Sequence, residues 1–146
     1  MENVTIKKLS AMGWTESRSI NIALYKKRYE EIDLEMPPNV EEFLARYGML
    51  KSNEKDKIYF EVDFDPLKAI GINLRGDYFR ECLGEYGIDE TVYPIGVVCK
   101  NNLLLLMNQN NVCYCFTDGC LLKVGDNVEE MLDCLVGECR QAEEIE

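Results

Sequence analysis

The feature that most constrains the fold is a series of short apolar segments between residues 92 and 124, separated by turn-forming residues. The separating segments read KNN, NQNN and DG, and the two-residue DG is typical of a tight β-hairpin. Short apolar segments joined by such turns favour antiparallel pairing with their neighbours in the chain. We therefore predict a meander with strands near 92–99, 103–107, 112–117 and 120–124.

An earlier segment, KIYFEVDFD at 57–65, alternates between apolar and polar side chains. This period of two is typical of a half-buried strand whose inner face carries Ile58, Phe60, Val62 and Phe64. The outer face would carry Tyr59, Glu61, Asp63 and Asp65. Because alternate residues of a strand lie about 6.6 Å apart, we expect the three carboxylates to form a row.

Five segments have apolar residues at helical spacing, which predicts helices over residues 3–12, 19–32, 40–47, 76–87 and 128–139. Gly13 is expected to end the first helix, because glycine adopts the left-handed conformation at low cost. Asn39, with Glu42 three residues later, is expected to cap the third helix. The similar sequence NVEEML at 127–132 is expected to use the same capping device.

The order of these elements predicts an α+β fold. Its antiparallel-rich sheet, the four-stranded meander plus one earlier strand, would have helices packed against it. A length of 146 residues with 47% apolar residues is sufficient for one domain with its own core. We expect a single domain over residues 1–146, with an acidic C-terminal tail from about 140 to 146.

Trp14 is the only tryptophan and directly follows Gly13. A hydrophobic residue just past a helix end commonly folds back onto the last turn, so core packing is favoured over a role as a binding anchor. Arg18 follows four positions later. It is expected either to pair with a nearby carboxylate or to cap the C-terminus of a helix.

The sequence lacks the residues that common catalytic mechanisms need. It has no histidine, no G-x-S-x-G motif and no G-x-x-x-x-G-K-[ST] motif, which excludes histidine-based triads and a P-loop. Two-metal phosphoryl enzymes use Asp-x-Asp pairs comparable to Asp63 and Asp65, but the solvated outer face of a strand is the favoured interpretation. We predict no enzymatic activity and no cofactor.

Seven cysteines are an odd number, so they cannot all pair within one chain. Reduced thiols in the core are the favoured interpretation. They fit the cytoplasmic location that we expect because no apolar stretch has the length of a signal peptide or a membrane span. A zinc site is the alternative, built from Cys99, Cys113, Cys115 and Cys120. Since the chain contains no C-x-x-C pair, we predict no metal site.

The net charge is −11 and is unevenly distributed. Residues 74–146 carry 5 basic and 14 acidic side chains, a net charge of −9. Such a surface repels nucleic acid and anionic membranes and attracts a basic protein. No segment approaches the ~20 apolar residues that cross a bilayer. We therefore expect a protein partner, and neither nucleic acid, a membrane nor a small-molecule substrate.

Two sets of acidic residues are candidates for binding that partner. Asp77, Glu81 and Glu85 recur at every fourth position, which would place them in a stripe on one predicted helix. Asp89 and Glu90 follow in the sequence. Glu61, Asp63 and Asp65 form the second set. A role in solubility alone remains open for both.

Several motifs occur in an order that resembles the SUKH superfamily, most closely its third immunity-protein subfamily. They are GW-x-x-x-R (Gly13, Trp14, Arg18), FLARYGML at 43–50 with Gly48, YPIG at 93–96 with Pro94 and Gly96, and GDNVEEML at 125–132. Three positions depart from the family pattern. Met49 follows Gly48 where Gly-Gly is common, Val97 replaces an acidic residue, and NQNN at 108–111 replaces a turn with glycine.

The resemblance implies an α+β domain without catalytic activity. Bacterial domains of this kind are encoded beside secreted polymorphic toxins, which they bind and block in the cytosol. Many of those toxins are nucleases or deaminases with basic surfaces, and such a surface complements the acidic second half of this chain. Other relatives are cytosolic regulators, so an adaptor that binds an endogenous basic partner is the alternative function.

Overall fold

In the described part of the chain, six strands form one sheet in which each strand pairs antiparallel with the next. The computed structural model describes residues 1–52 and 60–146. The strands are β1 (Val62–Asp63), β2 (Tyr93–Val98), β3 (Leu103–Met107), β4 (Cys113–Thr117), β5 (Cys120–Gly125) and β6 (Glu143–Ile145). The predicted α+β class is confirmed, and so is the four-stranded meander, which corresponds to β2–β5.

The described residues form six α-helices, drawn from both halves of the chain. They are α1 (Asn3–Met12), α2 (Ala23–Glu31), α3 (Pro38–Tyr47), α4 (Pro66–Ile70), α5 (Gly76–Glu81) and α6 (Val128–Leu135), with a short 3₁₀ turn at Gly84–Tyr86. Helix α4 lies against β2, and α6 lies against β5. Every residue of β2 is buried, which places this strand at the centre of the core.

The first helix has the predicted bounds, whereas the second starts four residues later than predicted. The Ile20 N–H donates to the Ala45 carbonyl (2.8 Å), which ties the preceding segment to α3. The Asn21 side chain then accepts a hydrogen bond from the Ala23 N–H (2.9 Å) at the start of α2. A tertiary contact therefore decides where α2 begins.

The predicted cap of the third helix is wrong. Helix α3 begins at Pro38, so Asn39 lies inside it. The Asn39 amide instead donates to the Asn108 carbonyl (3.0 Å) and to the Asn111 side chain (2.9 Å) in the β3–β4 turn. At the second copy of the sequence the device is present, because the Asn127 side chain accepts from the Glu130 N–H (2.9 Å).

The segment predicted as the earlier strand is only partly a strand. Residues 57–59 lie outside the described part of the chain, and β1 is limited to Val62–Asp63. Val62 and Phe64 are buried, as the alternation predicts. The short helix α4 follows directly and was not predicted, because five residues are too few to display helical periodicity.

The C-terminal end also differs from the prediction. Helix α6 ends at Leu135 rather than at 139. Part of the expected acidic tail forms β6, which pairs with β5 so that Ile145 lies opposite Leu121. The sheet therefore has one strand more than the sequence analysis predicts.

Candidate partner-binding surfaces

The turn after α1 buries the single tryptophan. Gly13 is left-handed (φ 106°), and the N–H groups of Gly13 and Trp14 donate back to Ser10 and Leu9 (3.1 and 3.0 Å). Trp14 is 6% exposed and stacks on Tyr47, with ring centroids 5.8 Å apart. Trp14 is therefore buried in the core, as its position after the helix cap predicts.

Arg18 caps a helix, which was one of its two predicted roles. Its guanidinium donates to the carbonyl of Arg46 (2.9 Å) at the C-terminal end of α3. The Arg46 guanidinium in turn lies 5.8 Å from the centre of the Trp14 ring. These contacts hold α3 against the turn after α1, so Trp14 and Arg18 support the same corner of the fold.

Two glycines of the family motifs occupy positions where a side chain would collide with backbone. A Cβ atom on Gly48 would overlap the Leu44 carbonyl oxygen, and one on Gly96 would overlap the Asp63 carbonyl oxygen of β1. Next to Gly96, the Pro94 carbonyl accepts a hydrogen bond from the buried Tyr29 hydroxyl (2.5 Å), which links α2 to β2. Gly96 therefore allows β1 to lie close to β2, and the bond between Tyr29 and Pro94 holds α2 against β2.

Two departures from the family pattern fall on left-handed backbone. Met49 has φ 69°, and Asn111 in the NQNN turn has φ 68°. Asparagine tolerates this conformation well, whereas methionine does so only with strain. The Met49 side chain is also 67% exposed.

The predicted acidic stripe does not lie on one helix. Helix α5 ends at Glu81, and Glu85 belongs to the 3₁₀ turn that follows. Asp77 pairs with Arg80 (2.6 Å) and remains 87% exposed. Within residues 1–52 and 60–146, the exposed side chains of Glu81, Glu85 and Asp89 form no ion pair.

Glu90 ends this segment and is partly engaged. Its carboxylate accepts a hydrogen bond from the Asn108 amide (2.7 Å). The segment from α5 to β2 therefore presents five carboxylates, and we call them the acidic α5 surface: Asp77, Glu81, Glu85, Asp89 and Glu90. All five are exposed, and Asp77 and Glu90 also have polar partners.

The second acidic set lies on a shorter strand than predicted, and two of its carboxylates have partners within the chain. Asp63 pairs with Lys68 (2.5 Å), and this hydrogen bond raises the pKa of Lys68. Asp65 lies beyond β1, where its side chain accepts from the Leu67 N–H (2.9 Å) and caps α4. Glu61 precedes β1 and is half-buried. Asp63 and Asp65 therefore have intramolecular roles. Only Asp63 of the three lies within β1, although burial alternates over residues 61–65 as the predicted strand requires.

The cysteines are free thiols, and three of them are buried. Cys113 and Cys115 are both buried on β4, in agreement with the prediction of thiols in the core. Burial raises the pKa of both thiols, and it raises the pKa of the Cys134 thiol to about 11. In the described ranges, no group of three or more Cys, Asp or Glu side chains is arranged to hold a metal ion.

A groove between α2 and α4 was missed by the sequence analysis. It has a volume of about 450 Å³, and its apolar lining comes from Leu24, Met49 and Leu67. We call it the α2–α4 groove; it is also lined by Asn21, Tyr25, Lys51, Asp63, Asp65 and Lys68. Leu24 is an apolar residue that lies off the apolar face of its helix. This departure from the helical pattern is the one feature of the sequence that could have indicated the groove.

These features define a class of protein: an α+β domain with a meander sheet, helices packed against it, and exposed acidic and apolar surfaces. The family model for SUKH-3 immunity proteins matches residues 1–138. The chain therefore belongs to the SUKH-3 immunity protein family. Membership implies a toxin-neutralising role, a cognate toxin as partner and a non-enzymatic mode of action.

The other comparisons identify no relative. No curated protein and no solved structure matches the chain. In the part of the chain that the structure describes, no helix combines the length and apolar character needed to cross a membrane.

Proposed function

We propose that this protein neutralises its toxin in the cytoplasm by binding a basic surface on it through the acidic α5 surface. The toxin would be a nuclease or deaminase whose substrate-binding face is cationic. The observation that carries the proposal is the exposure of Glu81, Glu85 and Asp89 without an ion-pair partner in the described residues. Because no basic side chain of the described residues neutralises these carboxylates, their negative charge can attract a basic partner.

The alternative acidic set is less suited to this role. Asp63 is neutralised by Lys68, and Asp65 is committed to the start of α4. A toxin that recruited these carboxylates would have to displace contacts that stabilise the fold. The acidic α5 surface carries no such cost at Glu81, Glu85 or Asp89.

The distribution of charge supports rapid, selective association. Residues 74–146 carry a net charge of −9, and the field of such a surface extends over a Debye length of about 8–10 Å at physiological salt. It attracts a cationic protein and repels nucleic acid and anionic membrane. Occupying the toxin's cationic face requires no chemistry by this chain, no cofactor and no small-molecule substrate.

Association kinetics with the toxin domain encoded beside this chain's gene test the proposal. Replacing Asp77, Glu81 and Glu85 together by lysine should slow association at low salt by about tenfold or more, because steering depends on local charge. The same variant should show a weaker dependence of the association rate on salt. Stopped-flow measurements at several salt concentrations would provide both quantities.

A matched control separates local charge from net charge. Glu16, Glu42 and Glu144 are exposed carboxylates outside the acidic α5 surface, and replacing them by lysine changes the net charge equally. The control variant should retain most of the association rate. Equal slowing in both variants would contradict a role for this surface, and the absence of binding by the unaltered chain would contradict the function itself.

A further inference from the structure

The α2–α4 groove is a second exposed feature, separate from the acidic α5 surface. Its three apolar side chains come from three segments of the chain. Leu24 lies in α2, Met49 is the second residue after α3, and Leu67 lies in α4. They are 73%, 67% and 37% exposed. Single exposed apolar residues are ordinary, but three from separate segments around one cavity are typical of a binding site.

Met49 is the most informative of the three. The left-handed backbone of Met49 lowers the stability of the fold by about 1–2 kcal/mol. Because the side chain is exposed, its packing in the core does not offset this strain. Glycine would adopt the same backbone without the strain. The Met49 N–H donates to the Phe64 carbonyl (2.9 Å), so the fold uses this backbone conformation but not the exposed methionine side chain. Strained residues commonly lie where a ligand is contacted.

The charges around the groove indicate what kind of group it suits. Asp63 pairs with Lys68, and the remaining charged groups of the lining, Lys51 and Asp65, have opposite signs. The groove is therefore neutral in a protein whose net charge is −11. An uncharged apolar side chain complements such a groove. A second copy of this chain does not, because two strongly anionic molecules repel each other.

Helix α2 connects the groove with the acidic α5 surface. Leu24 lies in its first turn, and just past its C-terminal end the Ile32 carbonyl accepts from the N–H of Gly76, the first residue of α5 (2.7 Å). From Leu24 to Glu31 the helix rises about 10 Å. An ordinary interface buries about 800 Å² per partner, a patch that is wider than this rise.

We propose that the α2–α4 groove takes up an uncharged apolar side chain of the same toxin that the acidic α5 surface attracts. This inference rests on the proposed function and specifies a second part of the interface. The two parts act on different steps. Long-range charge accelerates association, whereas an apolar anchor buried in the groove slows dissociation.

Met49→Gly is the decisive variant, because it removes the apolar side chain and relieves the strain. The variant should be at least as stable as the unaltered chain, so weaker binding cannot be attributed to misfolding. We expect its dissociation from the toxin domain encoded beside this chain's gene to be about tenfold faster. The association rate should change by less than about twofold, and the faster dissociation should persist at high salt.

Leu24→Ala should likewise speed dissociation and leave the association rate nearly unchanged. Its stability should be little affected, since Leu24 is exposed and contributes little to the core. Val4→Ala is the control: Val4 is 42% exposed on α1 and does not line the groove, so both rates should stay unchanged. Unchanged dissociation of the Met49→Gly and Leu24→Ala variants would overturn this inference alone. If the unaltered chain does not bind the toxin domain, both the inference and the proposed function are overturned.

Discussion

At the scale of single residues, backbone geometry decides which substitutions the family motifs tolerate. Gly48 lies against the Leu44 carbonyl and has no space for a side chain, whereas its neighbour Met49 has space but a strained backbone. The fold therefore requires glycine at residue 48, whereas at residue 49 it uses the backbone N–H, which donates to the Phe64 carbonyl (2.9 Å), and leaves the side chain exposed. This difference supports a role for Met49 outside the fold.

Trp14 offers a test of core packing against direct binding. Trp14→Ala should lower the free energy of unfolding by about 3–5 kcal/mol, because it leaves a cavity beside Tyr47. Trp14→Phe should cost clearly less. It keeps a ring against Tyr47 and removes the indole N–H, which is buried without a hydrogen-bond partner among the described residues.

Urea denaturation of both variants would provide the two free energies. The order of the losses, alanine greater than phenylalanine, is the expected result. A Trp14→Ala variant with unchanged stability and weakened toxin binding would instead identify the indole as a binding anchor.

At the scale of elements, two copies of the sequence NVEE have different roles. In α6 the Asn127 side chain caps the helix, while the Glu130 carboxylate accepts from the Asp126 N–H (3.0 Å). In α3 the helix starts before Asn39, whose amide holds the β3–β4 turn instead. The local sequence permits either role, and the neighbouring elements select between them.

Serine substitutions distinguish the two roles. Asn127→Ala should cost about 1 kcal/mol of stability, and Asn127→Ser should recover most of it, because serine also accepts a hydrogen bond at an N-cap. At Asn39, serine is too short to replace the two bonds of the amide. Asn39→Ser and Asn39→Ala should therefore destabilise the protein equally.

Chemical denaturation of the four variants measures this contrast. Recovery by serine at residue 127 and not at residue 39 is the expected pattern. Recovery at both positions would indicate that Asn39 also acts as a cap.

At the scale of the whole molecule, the charged carboxylates and the potentially nucleophilic thiols lie in different places. None of the acidic side chains in residues 1–52 and 60–146 is buried, while the thiols of Cys113, Cys115 and Cys134 are buried in the core. Burial keeps these thiols protonated and therefore poor nucleophiles. This arrangement suits a protein that acts by occupying a partner's surface.

The buried thiols predict how stability depends on pH. Burial raises the pKa of Cys134 from 9.0 to about 11, and unfolding restores the ordinary value. Between these pH values the unfolded chain binds fewer protons than the folded one, so stability falls as pH rises, by up to about 1.4 kcal/mol per pH unit for one thiol. Well below pH 9 this contribution is fully present.

Urea denaturation under reducing conditions at pH 7.5, 9 and 10 measures this dependence. The unfolding free energy should fall slightly between pH 7.5 and pH 9, where the unfolded thiols begin to ionise, and more steeply between pH 9 and pH 10. A Cys134→Ala variant should show a shallower decline above pH 9. An identical decline in the variant would exclude Cys134 as a source of the effect.

Much of the fold could be predicted because its signals are local. The meander depends on short apolar segments and turn residues, and the position of Trp14 depends on the cap formed by Gly13. Helix α4 and strand β6 were not predicted. The first is too short to show a period, and the second is a strand because Ile145 and its neighbours pair with β5.

The sequence identifies the acidic residues, but it does not show which of their carboxylates already have partners within the protein. Lys68 neutralises Asp63, Asp65 caps α4, and the end of α5 at Glu81 separates Glu85 from the helix. The α2–α4 groove likewise joins side chains from three separate segments. Composition, periodicity and turn chemistry are properties of neighbouring residues, so the sequence by itself determined the class of fold and its acidic character. Ion pairing and exposure depend on distances between residues far apart in the chain, so only the tertiary structure decided which charges and which apolar side chains remain free for a partner.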